Sequence, residues 1–281
     1  MRQSIKQEFF KSFHRLSYWV YTAIIFLVPL ATAVIYRLTD SKTHELDYVS
    51  HHGYYIAFVS IFLIVLFSSI LSEEFQFDTI KVIAARGNSR IAIFMAKVFK
   101  LVFDYIFFYV IAVISYLLWW LLVAGNQHFL YQVVTSKTGS YIFSTVKYSE
   151  WTFLWHNFLA GMVSIAFVGS IALMISSFLK SNSIAIASAF IVYLAGNIIN
   201  GLSMSLFYKN FHLISWNPFN TNIAFGQQVF DSRIAFYHLT VAQSLSATLV
   251  WIFLFLAIAG LVFSRRNLKN AYQKNNRSIY N

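Results

Sequence analysis

The chain has no cysteine and few charged residues. The absence of cysteine among its 281 residues excludes disulfide bonds, thiol catalysis and thiolate metal ligands. Charged residues make up 11% of the chain, whereas a soluble domain carries about 25%. Hydrophobic residues account for 58%, aromatic residues for 19%, and the mean hydropathy is +0.62. Because so few polar residues cannot cover a globular surface, the composition excludes an ordinary soluble enzyme and predicts an integral membrane protein.

The sequence also lacks the motif with which P-loop ATPases hold phosphate. No Gly-x-x-x-x-Gly-Lys-Ser/Thr segment occurs, so we expect no ATP hydrolysis by this chain. At roughly 20 residues per span, 281 residues hold six or seven helices and leave no room for a separate catalytic domain. We therefore expect that the chain is not an enzyme and that it holds no cofactor or metal. The spacing of His44, His51 and His52 fixes no ligand geometry, and we interpret them as solvated.

Long stretches without charge mark the predicted membrane spans, because a charge at the bilayer centre costs ~2.5–3.5 kcal/mol. The apolar residues in these stretches do not alternate with period two, which disfavours a transmembrane β-barrel. The predicted fold is therefore an all-α integral membrane domain that occupies residues 1–281. Its six predicted spans lie at about 16–36, 54–72, 104–124, 154–179, 183–206 and 240–263.

The distribution of basic residues predicts the orientation of these spans. With the N-terminus in the cytoplasm, 15 of the 21 lysines and arginines fall in cytoplasmic segments. By the positive-inside rule both termini, including the tail 264–281, are predicted to be cytoplasmic. The formal net charge of +11 is then an orientation signal in the cell membrane, and we expect the lipid bilayer rather than nucleic acid as a partner.

Two segments outside the spans are predicted to form short amphipathic helices. Residues 1–15 carry apolar and basic side chains on opposite faces and predict an interfacial helix at the membrane surface. In the cytoplasmic connection 73–97, Asp78 or Thr79 is expected to start a helix that Gly87 ends. Ser89 is expected to start a second helix, which continues into the third span.

The order of residues in this connection resembles that of a known family. Two glutamates at the end of the second span are followed by Thr-Ile-Lys, by Gly-x-Ser-Arg and by a lysine seven residues further on. This order is similar to that in the membrane subunit of type-2 ABC exporters, most of all in the Gram-positive branch that handles antimicrobial or amphipathic peptides. Asp78 stands where that family usually has glycine. The matching positions are Glu73 or Glu74, Thr79, Lys81, Gly87, Ser89, Arg90 and Lys97.

The resemblance implies that the connection is the coupling helix, which lies in a groove of a separate ATPase subunit. It further implies two ATPase copies, which hold ATP and Mg²⁺, together with a second copy of this chain or a paired permease. In that family the N-terminal helix helps to frame the groove; a plain orientation anchor is the alternative for residues 1–15. The residues expected to act in coupling are Glu73, Glu74, Asp78, Thr79, Lys81, Arg86, Gly87, Ser89, Arg90 and Lys97.

The arginines of this segment have two interpretations. Arg86 and Arg90 can pair with carboxylates of an ATPase partner. They can equally be ordinary positive-inside residues next to anionic lipid. Nearby, Lys100 and Asp104 are spaced i, i+4 and are expected to form an ion pair.

Further along the chain, polar residues in the fifth span suggest helix packing or a substrate path. Asn197, Asn200 and Gly201 are the candidates, with packing favoured over the path. The following segment, 207–238, is expected to form either short re-entrant helices at the outer end or a plain interfacial loop. Which of the many aromatic residues face lipid and which line a path stays open.

These expectations converge on an exporter permease that moves hydrophobic or amphipathic molecules, with antimicrobial or cytolytic peptides as the first choice of cargo. The choice of cargo follows from the resemblance alone. A membrane sensor or scaffold, and an exporter of lipid-like or drug substrates, are the alternatives. An ion channel is disfavoured because no Gly-rich filter-like loop occurs.

Overall fold

The protein is described by a computed structural model at residues 2–39, 45–77, 89–119, 121–122, 133–135, 147–229 and 239–265. These residues form a bundle of long helices. The α-helices are α1 (Arg2–Phe13), α2 (Leu16–Thr39), α3 (Glu45–Gln76), α4 (Arg90–Trp119), α5 (Glu150–Phe178), α6 (Asn182–Phe207), α7 (Pro218–Gln228) and α8 (Val241–Arg265). A 3-10 helix, His212–Trp216, precedes α7.

Six of these helices overlap the six predicted stretches of the sequence: α2, α3, α4, α5, α6 and α8. Four segments of the described residues are long and apolar enough to cross a membrane, namely Arg90–Trp119, Phe158–Phe178, Asn182–Phe207 and Val241–Arg265. A fifth is counted if the bent pair Ser4–Phe13 and Leu16–Ala31 forms one span. These apolar helices support a multi-pass membrane protein.

Helix α4 begins where the sequence predicts. The backbone N–H of Ala92 donates to Oγ of Ser89 at 3.2 Å, which satisfies one of the free donors of the first turn. The charge-free stretch from 104 marks only the later part of this helix. Its first half carries Lys97, Lys100 and Asp104, all of which are buried.

A short antiparallel ladder, Val133–Thr135 with Lys147–Ser149, is present where the sequence pattern predicts no strand. Val133 pairs with Ser149 and Thr135 with Lys147. Valine and threonine are β-branched and favour strands, which is the local signal for this ladder. The fold is otherwise helical in the described part of the chain, as expected.

The core of the bundle lies where α5 packs between α3 and α8. Phe67 of α3, Phe108 of α4 and Phe167 of α5 are fully buried. Gly169 allows α5 to approach closely, because a Cβ at this position would lie 2.6 Å from the side chain of Leu101. Helices α3, α4 and α5 are therefore joined through one tightly packed layer.

Helix α1 forms a separate element at one end of the bundle, as the sequence predicts for residues 1–15. Its axis is bent by 65° from that of α2, with the break at His14 and Arg15. The ring of Phe9 packs edge-on against Phe103 of α4, with 4.4 Å between the centroids. Helix α1 thus lies across the start of α4 rather than continuing α2.

Candidate functional site

Charged side chains gather at the end of the bundle where α1, the end of α3 and the start of α4 meet. Four basic and four acidic residues take part, so the formal charges balance. This region is called the charged end below. Its charged members are Glu8, Lys11, Arg15, Glu73, Glu74, Lys97, Lys100 and Asp104.

Four of these side chains form a closed ring of alternating charge. Lys97 Nζ lies 3.1 Å from Glu8 Oε1 and 2.8 Å from Glu74 Oε1. Lys11 Nζ lies 2.7 Å from Glu74 Oε1 and 3.8 Å from Glu8 Oε1. Each carboxylate therefore faces two ammonium groups, and each ammonium faces two carboxylates. This set, Glu8, Lys11, Glu74 and Lys97, is called the charge ring.

Lys97 is the most deeply buried member of the charge ring, with no exposed side-chain surface. Its ammonium group has three protons to donate. It has acceptors in Glu8, in Glu74 and in the backbone carbonyl of Ile70 at 3.3 Å. A buried charge is tolerated only when it is paired and hydrogen-bonded in this way. The lysine that the sequence motif singles out is therefore directed into the bundle.

A second buried group lies one turn further along α4. Lys100 pairs with Asp104, as its i, i+4 spacing predicts, and Tyr18 of α2 donates to Asp104 Oδ1 at 2.9 Å. The ammonium of Lys100 also lies over the ring of Tyr18, 4.9 Å from its centroid. The rings of Phe9 and Phe103 lie within 6 Å on other sides, so cation–π attraction adds to the ion pair.

The outer part of the charged end connects α3 to the α1–α2 junction and to α6. Arg15 makes a two-pronged contact with Glu73, whose Oε1 lies 3.1 Å from Nη1 of the arginine. Asn182, at the start of α6, donates to Glu73 at 3.3 Å and accepts from Ser72 at 3.0 Å. The side chain of Gln76 accepts from the backbone N–H of Asn182 at 2.9 Å.

A cavity of about 190 Å³, lined by both charged and apolar side chains, lies between these groups. Its walls include Arg15, Tyr18, Glu73, Lys100 and Asp104. At roughly 30 Å³ per water molecule, the cavity has room for a few waters that would solvate the ionised groups. Within the described ranges, no three His, Asp or Glu side chains converge as a metal-ligand set.

The structure separates the residues that the motif groups together. Glu74 and Lys97 belong to the charge ring, whereas Glu73 binds Arg15 and Asn182. Arg90, for which pairing with a partner's carboxylate is one of two interpretations, donates to the backbone carbonyl of Ser264 near the end of α8. Ser89 starts α4, as described above. The predicted coupling residues Asp78, Thr79, Lys81, Arg86 and Gly87 lie outside the described residues.

Sequence reasoning missed several members of the charged end. Glu8 is the only acidic residue among residues 1–39, an observation that could have marked it as a partner for a basic group. Tyr18 and Asn182 carry no such signal. A tyrosine at the start of a predicted span, for example, is typical of an interfacial belt. Their roles depend on which helices lie next to them.

The polar residues predicted on α6 lie away from the charged end. Asn200 accepts from Asn217 at 2.8 Å, and Asn217 in turn accepts from the backbone N–H of Asn220 at 2.8 Å. Asn217 therefore caps α7, with Pro218 at the first helical position. Asn197 donates to the Tyr193 carbonyl of its own helix at 2.7 Å. Apart from its chain neighbours and the backbone of its own helix, no atom of the described residues lies within 4 Å of the position that a Cβ of Gly201 would occupy.

The segment after α6 contains short helices, and their re-entrant position in the membrane, one of the two expectations for residues 207–238, stays a prediction. The 3-10 helix and α7 pack against the bundle, and Trp251 of α8 donates to the carbonyl of Trp216 at 3.1 Å. Phe219 of α7 lies directly against the backbone of Gly196 on α6. Residues 230–238 lie outside the described residues.

Comparison with known proteins gives one similarity of low identity. The chain is 23% identical over 234 residues to the uncharacterized protein YhcI of Bacillus subtilis (strain 168), an alignment that covers 80% of this chain and 69% of that protein. No protein-family model matches the sequence.

Proposed function

We propose that this chain is the permease subunit of an ATP-driven ABC exporter, with both termini in the cytoplasm and the charged end on the cytoplasmic side. The proposal depends above all on the 2.8 Å contact between Glu74 and Lys97. These residues are the acidic and basic ends of the segment that resembles the coupling region of type-2 exporters. Because they hold the end of α3 against the start of α4, a push on residues 78–88 is delivered to both helices together.

In the proposed mechanism, two permease chains bind two ATPase subunits through the 73–97 segment and α1. The ATPase subunits hold ATP and Mg²⁺, and their closure displaces the segment. Tight packing then carries the displacement inward, since Phe67 of α3 and Leu101 of α4 lie against Gly169 of α5. Rigid packing of this kind transmits a movement that a loosely packed bundle would absorb.

The six long helices α2, α3, α4, α5, α6 and α8 are proposed as the six membrane spans. Helix α6, with 26 residues, is about 39 Å long and runs from the charged end, where Asn182 contacts α3, to the opposite end. That opposite end carries the 3-10 helix and α7, which are proposed to cap the outer end of the pathway. Two six-span chains would enclose the path between them.

Hydrophobic or amphipathic peptides are the proposed cargo. This choice derives from the resemblance to the Gram-positive peptide-handling branch. Helix α6, Asn182–Phe207, contains no lysine, arginine, aspartate or glutamate. It therefore offers no charged side chain to bind a polar cargo, which supports this choice. Export of lipid-like or drug substrates by the same permease, and a sensor or scaffold that binds partners without transport, are the competing outcomes.

The association with an ATPase is tested by copurification. The chain is coexpressed with any P-loop ATPase encoded next to its gene, and residues 79–87 are replaced by a Gly/Ser linker of equal length. We expect the parent to copurify with the ATPase and the linker variant to lose it. A Lys6→Gln variant, altered on the exposed side of α1, serves as the matched control. Equal recovery of the ATPase by the linker variant and the parent would refute the coupling role of this segment.

Cargo is tested after reconstitution of the complex in liposomes. We expect vanadate-sensitive ATP hydrolysis that rises when amphipathic peptides are added. Stimulation by lipids or hydrophobic drugs alone would replace the peptide cargo but keep the permease. Stable association without ATP-dependent movement of any of these compounds would favour the scaffold.

A further inference from the structure

The charge ring joins α1 to both sides of the 78–88 segment. Glu8 of α1 pairs with Lys97 of α4, and Lys11 of α1 pairs with Glu74 of α3. Residues Glu74 and Lys97 flank the segment along the chain. Helix α1 is therefore held by the same two side chains that join the ends of α3 and α4.

The aromatic contacts of α1 are with α2 and α4, whereas the charge ring also reaches α3. Phe9 and Phe13 pack against Phe103 of α4, and Phe13 also contacts Tyr18 of α2 and Phe107 of α4. These ring contacts hold α1 near α2 and α4, but hydrophobic contacts are non-directional and do not fix its position along them. The directed contact with α3 is made by Lys11 and Glu74, within the charge ring.

The geometry points to Glu8 as a positioning residue: we propose that the charge ring makes α1 and the ends of α3 and α4 one rigid unit, so that a displacement of either helix end also moves α1. With Glu8 neutral, Lys97 and Lys11 would share the single carboxylate of Glu74, and the ring would open on the side of α1. The role of this unit in transport rests on the proposed function, whereas its rigidity does not.

The absence of cysteine allows a direct measurement of this rigidity. Spin labels are attached at Phe10→Cys on α1 and at Phe77→Cys after α3 in the full chain, reconstituted in nanodiscs. A second pair joins Phe10→Cys to Ile91→Cys on α4. The three native side chains are 63%, 69% and 70% exposed, so labels at these positions disturb no core contact. Pulsed electron spin resonance then gives the distance distribution for each pair.

We expect a narrow distribution in the parent and a distribution about twice as wide in Glu8→Gln, because opening a buried ion network frees the helix that it holds. Lys11→Gln, at a partly exposed position, should widen the α1–α3 distribution most and keeps the test valid if Glu8→Gln folds poorly. The control Lys6→Gln removes a charge from the same helix outside the ring and should retain the width of the parent. Parent-like widths in both ring variants would overturn the proposal.

A functional measurement separates this inference from the proposed function. In a complex with the ATPase, Glu8→Gln should retain copurification while losing most of the stimulation of ATP hydrolysis by cargo. If the parent chain does not copurify with the ATPase, the permease assignment is rejected, and the spin-label result is unaffected. Full stimulation in Glu8→Gln with a widened distribution would reject the role of α1 in coupling.

Discussion

The hydroxyl of Tyr18 donates to the Asp104 carboxylate at 2.9 Å, which joins α2 to α4 at a point where both side chains are buried. Asp104 also pairs with Lys100, so Tyr18 is a second polar partner for this buried carboxylate. Buried carboxylates need such partners, because an unpaired charge in a low-dielectric interior is costly. The contact therefore adds a buried, directed hydrogen bond to the packing of α2 against α4.

We expect Tyr18→Phe to lower the free energy of unfolding by about 1.5–3 kcal/mol, the usual loss for a hydrogen bond to a charged group. Chemical unfolding in detergent measures this change. Tyr21→Phe, on the same helix, is the control and should stay within about 0.5 kcal/mol of the parent. An Asp104→Asn background should reduce the effect of Tyr18→Phe, and equal effects in both backgrounds would contradict the assignment.

The central lysine of the charge ring gives a larger effect. Lys97→Met leaves the carboxylates of Glu8 and Glu74 buried without the cation between them, and we expect a loss of about 3–5 kcal/mol in the free energy of unfolding. The triple variant Glu8→Gln, Glu74→Gln, Lys97→Met removes three of the four charges and leaves only Lys11, which is partly exposed, so it should recover most of this loss. Thermal unfolding in nanodiscs compares the two. A Lys97→Met protein as stable as the parent would show that the ring does not contribute to folding.

A glycine on α6 permits the close approach of α7. The ring of Phe219 occupies the position that a Cβ of Gly196 would take, so we expect Gly196→Ala to destabilise the fold by about 1–3 kcal/mol through overpacking. Replacing the ring by a smaller side chain, with Phe219→Leu added to Gly196→Ala, should restore part of the lost stability. Gly201→Ala is the matched control on the same helix, and it should be neutral or stabilising by up to about 1 kcal/mol, as expected for alanine in a helix.

The proposed orientation predicts which end of the molecule is accessible from outside the cell. Leu213, in the 3-10 helix, and Phe77, at the charged end, are both well exposed. A membrane-impermeant maleimide should label Leu213→Cys in intact cells and should label Phe77→Cys only after permeabilisation. Because the chain has no cysteine of its own, the parent serves as the blank. The opposite labelling pattern would invert the topology and place the 73–97 segment outside.

Much of the helical framework could be predicted because its signals are local. Charge-free stretches marked where α2, α3, α4, α5, α6 and α8 lie, and Ser89 marked the start of α4 through its capping side chain. The i, i+4 spacing of Lys100 and Asp104 likewise predicted their ion pair. Each of these inferences needs only the pitch of one helix and the cost of placing a charge in a bilayer.

The composition of the charged end could be predicted only in part. The motif includes Glu73 or Glu74 and Lys97 but predicts no contact between them, and Glu8 lies 89 residues before Lys97 and carries no motif. Arg90 shows the same limit, because its contact with the Ser264 carbonyl depends on where α8 ends relative to α4. These contacts are set by the rotation and depth of whole helices, which follow from side-chain packing across the bundle.

The sequence by itself determined that this chain is an apolar, helical protein of the membrane class, because hydropathy and the spacing of charges are properties of each segment alone. Tertiary structure alone decided that Glu8, Lys11, Glu74 and Lys97 form one closed ring. The physical reason is that a buried charge has to find its partner in space, and for Lys97 the partners lie on two other helices, α1 and α3.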